Sequence, residues 1–201
     1  MRNRGMFRMV AALVLLALPA LAQDPRSEVL RPPKGAKVAL VVFEDLQCPD
    51  CGRAAPLLLQ AAKTYKIPQV RYDFPLPMHN WSRPAAIYAK FFDTKSKALG
   101  DDFRDYIFRN QPAITKDNLR SYAERFADEH KLALPFAVDP VGELERRVDQ
   151  DINIGRSVGV EHTPTIYVVS DARTGTPFVE VADRSQLYQM IDEMKRQAGV
   201  K

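Results

Sequence analysis

The 201-residue chain reads as an α/β protein on three observations. Two short apolar runs rich in β-branched residues, Val38 to Phe43 and Thr165 to Val169, have the length and composition of buried strands. Between them, from Trp81 to about Arg156, the apolar period turns helical. The order strand, helix, strand, helical block, strand, strand, helix then calls for a parallel βαβ unit first and an antiparallel hairpin last.

The first strand is expected at about 37 to 44. The helix after it opens at Cys48-Pro49, because the fixed φ of proline suits a first helical turn, and Ala54 to Tyr65 is rich in Ala and Leu. Pro56 removes an interior hydrogen bond and is expected to kink this helix. A second strand spans Gln69 to Phe74, with Val70, Tyr72 and Phe74 alternating. In the helical block, Trp81, Ala85, Tyr88, Ala89 and Phe92 share a face. Leu119, Tyr122, Ala123 and Phe126 form another stripe behind a cap at Thr115, and Leu144, Val148 and Ile152 follow Asp139-Pro140. Three or four helices, at about 80 to 157, thus form an inserted lobe. Strands at Thr165 to Val169 and Phe178 to Val181 flank a turn at Asp171 to Gly175, and a last helix runs from about Ser185 to Gln197.

Residues 1–22 read as a secretory signal peptide: Arg2, Arg4 and Arg8 precede the apolar stretch Met9 to Leu18, and Ala20-Leu21-Ala22 has the small-residue cleavage pattern. That stretch is half of the roughly 20 residues that span a bilayer. No cysteine precedes Cys48, so a lipid-modified N-terminus is not expected. The mature chain, about 179 residues from Gln23, is one domain at 37–201 behind a flexible lead-in at 23–36 that carries Pro25, Pro32, Pro33, Lys34 and Gly35. The whole chain has 29 basic and 25 acidic residues. Removing the three leader arginines leaves 26 against 25, a net charge of +1, which lacks the basic excess of a nucleic-acid binder. Export implies a periplasmic or other extracytoplasmic setting, where disulfides persist.

Cys48 and Cys51, in Cys48-Pro49-Asp50-Cys51, are the two cysteines of the chain. At a helix N-terminus, free amide N–H groups and the positive end of the dipole favour the Cys48 thiolate and make it the attacking sulfur. Cys51, one turn further in, is the shielded resolving thiol, and the pair cycles between dithiol and disulfide. A purely structural disulfide closing so short a loop removes little chain entropy. A structural zinc site needs four ligands, and beyond this pair the chain offers His79, His130 and His162.

The stretch Val41-Val42-Phe43-Glu44-Asp45-Leu46-Gln47-Cys48-Pro49-Asp50-Cys51 and the loop Val158-Gly159-Val160-Glu161-His162-Thr163-Pro164-Thr165 resemble the active-site stretch and the Thr-Pro loop of the DsbA-like thiol-disulfide oxidoreductases. With the βαβ unit and the closing ββα, the likeness covers about 37 to 198. It implies a thioredoxin fold with an inserted α-helical lobe, a cis-Pro164 against the cysteines, and a Thr163 backbone that pairs with extended substrate. His79 is expected to pack or cap, while Glu44 and Asp45 are candidates for modulating proton transfer from Cys51. Thioredoxin-like proteins often have a buried acid six residues before the first cysteine, where this chain has Val42. Asp50 stands where strong oxidases of the family have His, and its charge disfavours a thiolate while favouring the helix N-terminus. His162 replaces the usual small residue, and it is read either as an imidazole that, in a loop packed as in the family, opposes Asp50 by stabilising the Cys48 thiolate, or as a plain exposed loop histidine. Pro49, Asp50 and His162 are therefore the expected modulators.

The activity implied is exchange of the Cys48–Cys51 disulfide with cysteines of substrate proteins, as a dithiol oxidase, with no cofactor beyond that redox-active disulfide. Recycling by a membrane redox partner, a monomeric state and no nucleic-acid partner are expected with it. The alternatives are a periplasmic reductase or isomerase and a copper-handling protein using Cys48, Cys51 and His162. The lead-in is too short for the dimerisation domain of a V-shaped isomerase.

Overall fold

In the computed structural model, residues 24–172 and 175–200 are described. The expected leader and the tip of the 171–175 turn lie outside them. Four strands, β1 (Val38–Glu44), β2 (Gln69–Asp73), β3 (Thr165–Ser170) and β4 (Phe178–Glu180), form one sheet in the order β2-β1-β3-β4. Strand β1 runs parallel to β2, with Val42 opposite Arg71 and Glu44 opposite Asp73. It runs antiparallel to β3, which in turn pairs antiparallel with β4. These are the βαβ unit and the hairpin that the element order calls for.

Every residue of β1 is buried, which accounts for its unbroken apolar run: both faces of this central strand are covered. On one face, Val38, Leu40 and Val42 pack against Ala54, Leu58 and Ala61 of helix α1 (Pro49–Tyr65) and Leu187, Ile191 and Met194 of helix α6 (Leu187–Gln197). On the other, Ala39, Val41 and Phe43 meet Phe74, Val158 and Val160. Helix α1 continues through Pro56 and ends at Lys66, whose φ of 53° is left-handed.

Helices α2 (Ser82–Asp93), α3 (Lys97–Asn110), α4 (Leu119–Glu129) and α5 (Glu143–Ser157) occupy the block expected to be helical. The stripes read from the sequence close on one aromatic core. Phe92 and Phe103 have ring centroids 4.6 Å apart, and Phe126 meets Phe103 edge-on at 5.1 Å. Asn118, not Thr115, is the N-cap of α4, and Thr115 instead bonds it reciprocally in the preceding turn: Thr115 Oγ1 accepts from the Asn118 amide at 3.3 Å, and Asn118 Oδ1 accepts from the Thr115 amide at 2.7 Å. Helix α5 lies directly on the sheet, where Gly155 leaves room for Phe74. A Cβ there would sit 2.7 Å from the Phe74 ring.

Two regions differ from the sequence reading. Residues 24–36 are not a free lead-in: Leu30 is wholly buried in the sheet core beside Val29 and Phe178, and Arg26 stacks over the Phe178 ring at 5.0 Å. One large apolar side chain with a cavity to fill outweighs the surrounding proline-rich composition. In β2, the alternation of Val70, Tyr72 and Phe74 holds, but the polar residues between them do not face water. Arg71 and Asp73 are buried under the lobe. Arg71 pairs with Glu44 at 2.7 Å and with Asp105 of α3 at 2.7 Å. Asp73 takes Arg104 of α3 at 2.7 Å and Lys90 of α2 at 2.9 Å, and Arg104 also holds Asp93 while Lys90 also holds Asp151. The lobe is thus fastened to the sheet by an ionic layer.

Candidate active site at the start of helix α1

Cys48 is the N-cap residue of α1, with φ −68° and ψ 119°, and Pro49 is the first helical residue. Its sulfur therefore lies at the exposed amides of the first turn, as the spacing requires. Both thiols are free and largely buried. The Thr163–Pro164 peptide is cis, as the resemblance implies, and the neutral Cys48 thiol donates to the Thr163 carbonyl at 3.3 Å. The structure therefore brings Cys48, Cys51 and the Thr163-Pro164 loop together at one end of the sheet.

The two sulfurs are driven apart electrostatically. Cys48 is lowered from an ordinary 9.0 to about 5, chiefly because the Cys51 side chain hydrogen-bonds to it. Burial opposes this, whereas the Cys51 amide, the Thr163 side chain and the Asp50 amide add to it. Cys51 moves strongly upward, first through burial and then through its bond to Cys48, with the charges of Cys48 and Glu44 adding to both. The Asp45 amide, which donates to the Cys51 sulfur at 3.4 Å, works against the rise.

Asp45, a candidate modulator on sequence grounds, is the hub of the loop. Its buried carboxylate accepts four hydrogen bonds: Oδ1 from the amides of Gln47 (2.7 Å) and Cys48 (3.2 Å), Oδ2 from the Leu76 amide and His79 Nδ1 (both 2.7 Å). The Asp at this position of the motif shapes the turn that presents Cys48. His79 holds Asp45 from the far side, in the packing role expected of it. Glu44 is fully buried and committed to Arg71, and its carboxyl is pushed up by burial.

Asp50 turns away from the sulfurs to Arg184 at 2.8 Å and Arg53 at 3.2 Å, and Arg184 above all lowers its pKa. Its charge is offset locally, which weakens the expected penalty on the thiolate. His162 stands exposed, and its tie to the loop is its carbonyl, which accepts from Thr165 Oγ1 at 2.7 Å. Its imidazole is not among the main groups acting on Cys48. Among the described residues, no group of three His, Cys, Asp or Glu side chains is gathered in the manner of a metal site. Sequence reasoning missed Gln47, whose Oε1 accepts from the Trp81 amide at 2.7 Å, as well as Arg184 and Gln111. The approach of Arg184 and Gln111 depends on tertiary packing, and no local pattern marks it.

A dithiol where a helix leaves the central strand, facing a cis-proline across a β2-β1-β3-β4 sheet, defines the thioredoxin class of protein. The chain belongs to the thioredoxin family: residues 33–193 match the family model described as Thioredoxin. The lobe places its fold beside that of DsbA proteins. The structure of Wolbachia pipientis alpha-DsbA1 aligns with a TM-score of 0.69 at 14% identity, over 86% of this chain and 97% of the other. The thiol-disulfide exchange protein alpha-DsbA2 from the same organism aligns with a TM-score of 0.62 at 20% identity, over 82% and 85%. Among curated sequences, the Na(+)/H(+) antiporter NhaA 3 of Salinispora tropica is 26% identical over 171 residues, which are 83% of this chain and 25% of that protein. The chain thus spans about a quarter of the length of that relative. No helix among the described residues is long and apolar enough to cross a membrane.

Proposed function

We propose that the protein is an extracytoplasmic thiol-disulfide oxidoreductase that donates the Cys48–Cys51 disulfide to cysteines of other proteins. The observation that carries this reading is the geometry of the pair, with Cys48 capping α1 against the cis Thr163–Pro164 peptide and Cys51 buried one turn further in, an arrangement that lowers the Cys48 pKa and raises that of Cys51. A stabilised Cys48 thiolate favours the reduced form, which makes the disulfide the stronger oxidant.

In the reaction a substrate thiolate attacks Cys48 Sγ, the Cys48–Cys51 bond breaks, and Cys51 leaves with the electron pair and takes up a proton. A second substrate thiolate then attacks the substrate sulfur of the mixed disulfide. Cys48 departs as a stable thiolate, the substrate has lost two electrons to the pair, and a membrane redox partner restores the disulfide. Extended substrate would lie along the Thr163 backbone beside Pro164. The Cys48-to-Thr163 contact supports this placement, because the attacked sulfur sits against that backbone.

The test is the reduction potential in a glutathione redox series. A value near about −120 mV, that of the strong oxidant DsbA, supports disulfide donation, whereas one near about −270 mV, that of thioredoxin, reverses the direction of electron flow.

A further inference from the structure

Just after α3, Gln111 reaches out of the helical lobe to the redox turn. Its Nε2 donates to the Leu46 carbonyl at 2.8 Å and to the Cys48 carbonyl at 3.0 Å, so one amide nitrogen ties down both ends of the segment that delivers Cys48. The Cys48 carbonyl also accepts the first helical bond of α1, from the Gly52 amide at 3.2 Å. On its other side, the Gln111 carboxamide lies against Gly52. A Cβ at that residue would stand 2.9 Å from Gln111 Oε1. Glycine is less favourable than alanine within a helix, and here its bare backbone admits the amide. We propose that Gln111 is a positioning residue of the redox centre, holding the Leu46–Cys48 backbone so that the Cys48 sulfur stays over the first-turn amides of α1. This rests on the thiol-exchange reading above.

Cys48 keeps its extended N-cap conformation through three sets of bonds. Asp45 holds its amide, Gln111 holds its carbonyl, and Gly52 closes the helix onto that same carbonyl. Asp45 and Gly52 belong to the thioredoxin core, while Gln111 alone of these belongs to the lobe. Through it, the position of the lobe is felt at the sulfur. The charged groups nearest the turn, Asp45 with His79 on one side and Asp50 with Arg184 and Arg53 on the other, are untouched by a neutral substitution at 111.

Thiolate absorbance of the reduced protein, titrated against pH, tests this in Gln111→Met, which keeps the length and loses the donor, and in Gln111→Asn, which draws the donor back. The expected result is an upward move of the Cys48 midpoint by half a pH unit or more, about threefold in the ionisation constant, in whichever variant folds. Ser96→Ala is the matched control. It removes the cap at the start of α3, where Ser96 Oγ accepts from the Leu99 amide at 3.1 Å, and so loosens the same helix without touching the turn. A lowered melting temperature with an unmoved midpoint in the Gln111 variants overturns the proposal. So does an equal midpoint shift in Ser96→Ala. If the unmodified protein shows a low Cys48 midpoint but exchanges no disulfides, the functional reading fails while the Gln111 result stands on its own.

Discussion

Cys48 and Asp45 carry the residue-scale chemistry. With the Cys48 pKa lowered to about 5, alkylation of the reduced protein should follow a single midpoint near that pH and vanish in Cys48→Ser. Cys51→Ser, with no resolving thiol, should accumulate mixed disulfides with substrate proteins, visible as higher-mass species on non-reducing gels. Asp45→Asn exchanges one acceptor oxygen for an NH2 that must face donors, either the amides of Gln47 and Cys48 or the Leu76 amide and His79 Nδ1. A loss of about 1–3 kcal/mol in denaturant stability is expected. The Cys-x-x-Cys spacing and the Thr-Pro loop were legible at this scale, because each is a contiguous string whose chemistry is local. Gln111 and Arg184 were not, because residues 111 and 184 meet the redox turn only after the chain has folded.

At the scale of elements, β1 and α1 are explicit in the sequence, since an unbroken apolar run means a strand covered twice and a proline directly after the first cysteine marks a helix start. Strand β2 shows how a period can be read correctly and still mislead. Its alternation places Arg71 and Asp73 on one face, but only the lobe decides that this face is buried. Helix α5 has a comparable dependence at Gly155, where the ring of Phe74 lies 2.7 Å and that of Phe43 3.1 Å from the position of an added Cβ. Gly155→Ala gains helix propensity yet must push two aromatic rings aside. Overpacking of this kind costs typically about 1–3 kcal/mol, and a lower melting temperature is the expected outcome.

For the whole molecule, the ionic layer between sheet and lobe sets a second kind of stability. Burial pushes Asp73 up, but the Arg104 and Lys90 charges more than compensate and hold it well below the usual carboxylate range. Arg104→Met leaves Asp73 and Asp93 without their shared guanidinium, and removing one partner of such a buried pair costs about 3–5 kcal/mol, read by urea denaturation. The redox pair adds a pH dependence of its own. Because folding lowers the Cys48 pKa, the unfolded chain binds more protons between about pH 5 and pH 9. The Cys48 contribution is complete above about 9 and is lost as the pH falls through about 5, with a limiting slope near 1.4 kcal/mol per unit, while the raised pKa of Cys51 acts in the opposite sense and lowers stability as the pH climbs past about 9. The reduced protein should lose stability over that window relative to the oxidised protein, which has no such thiolate, and paired melting curves across it measure the difference.

Trp81, the single tryptophan of the chain, is buried in the same core cluster as both cysteines, and its amide is held by the side chain of the residue before Cys48. The indole is thereby an optical probe wired to the sulfur chemistry. Opening or closing the disulfide is therefore expected to change the emission of the native protein, which spectra of the oxidised and reduced forms would show. If they differ, the glutathione series can be followed by fluorescence alone, with no label attached and no sample withdrawn.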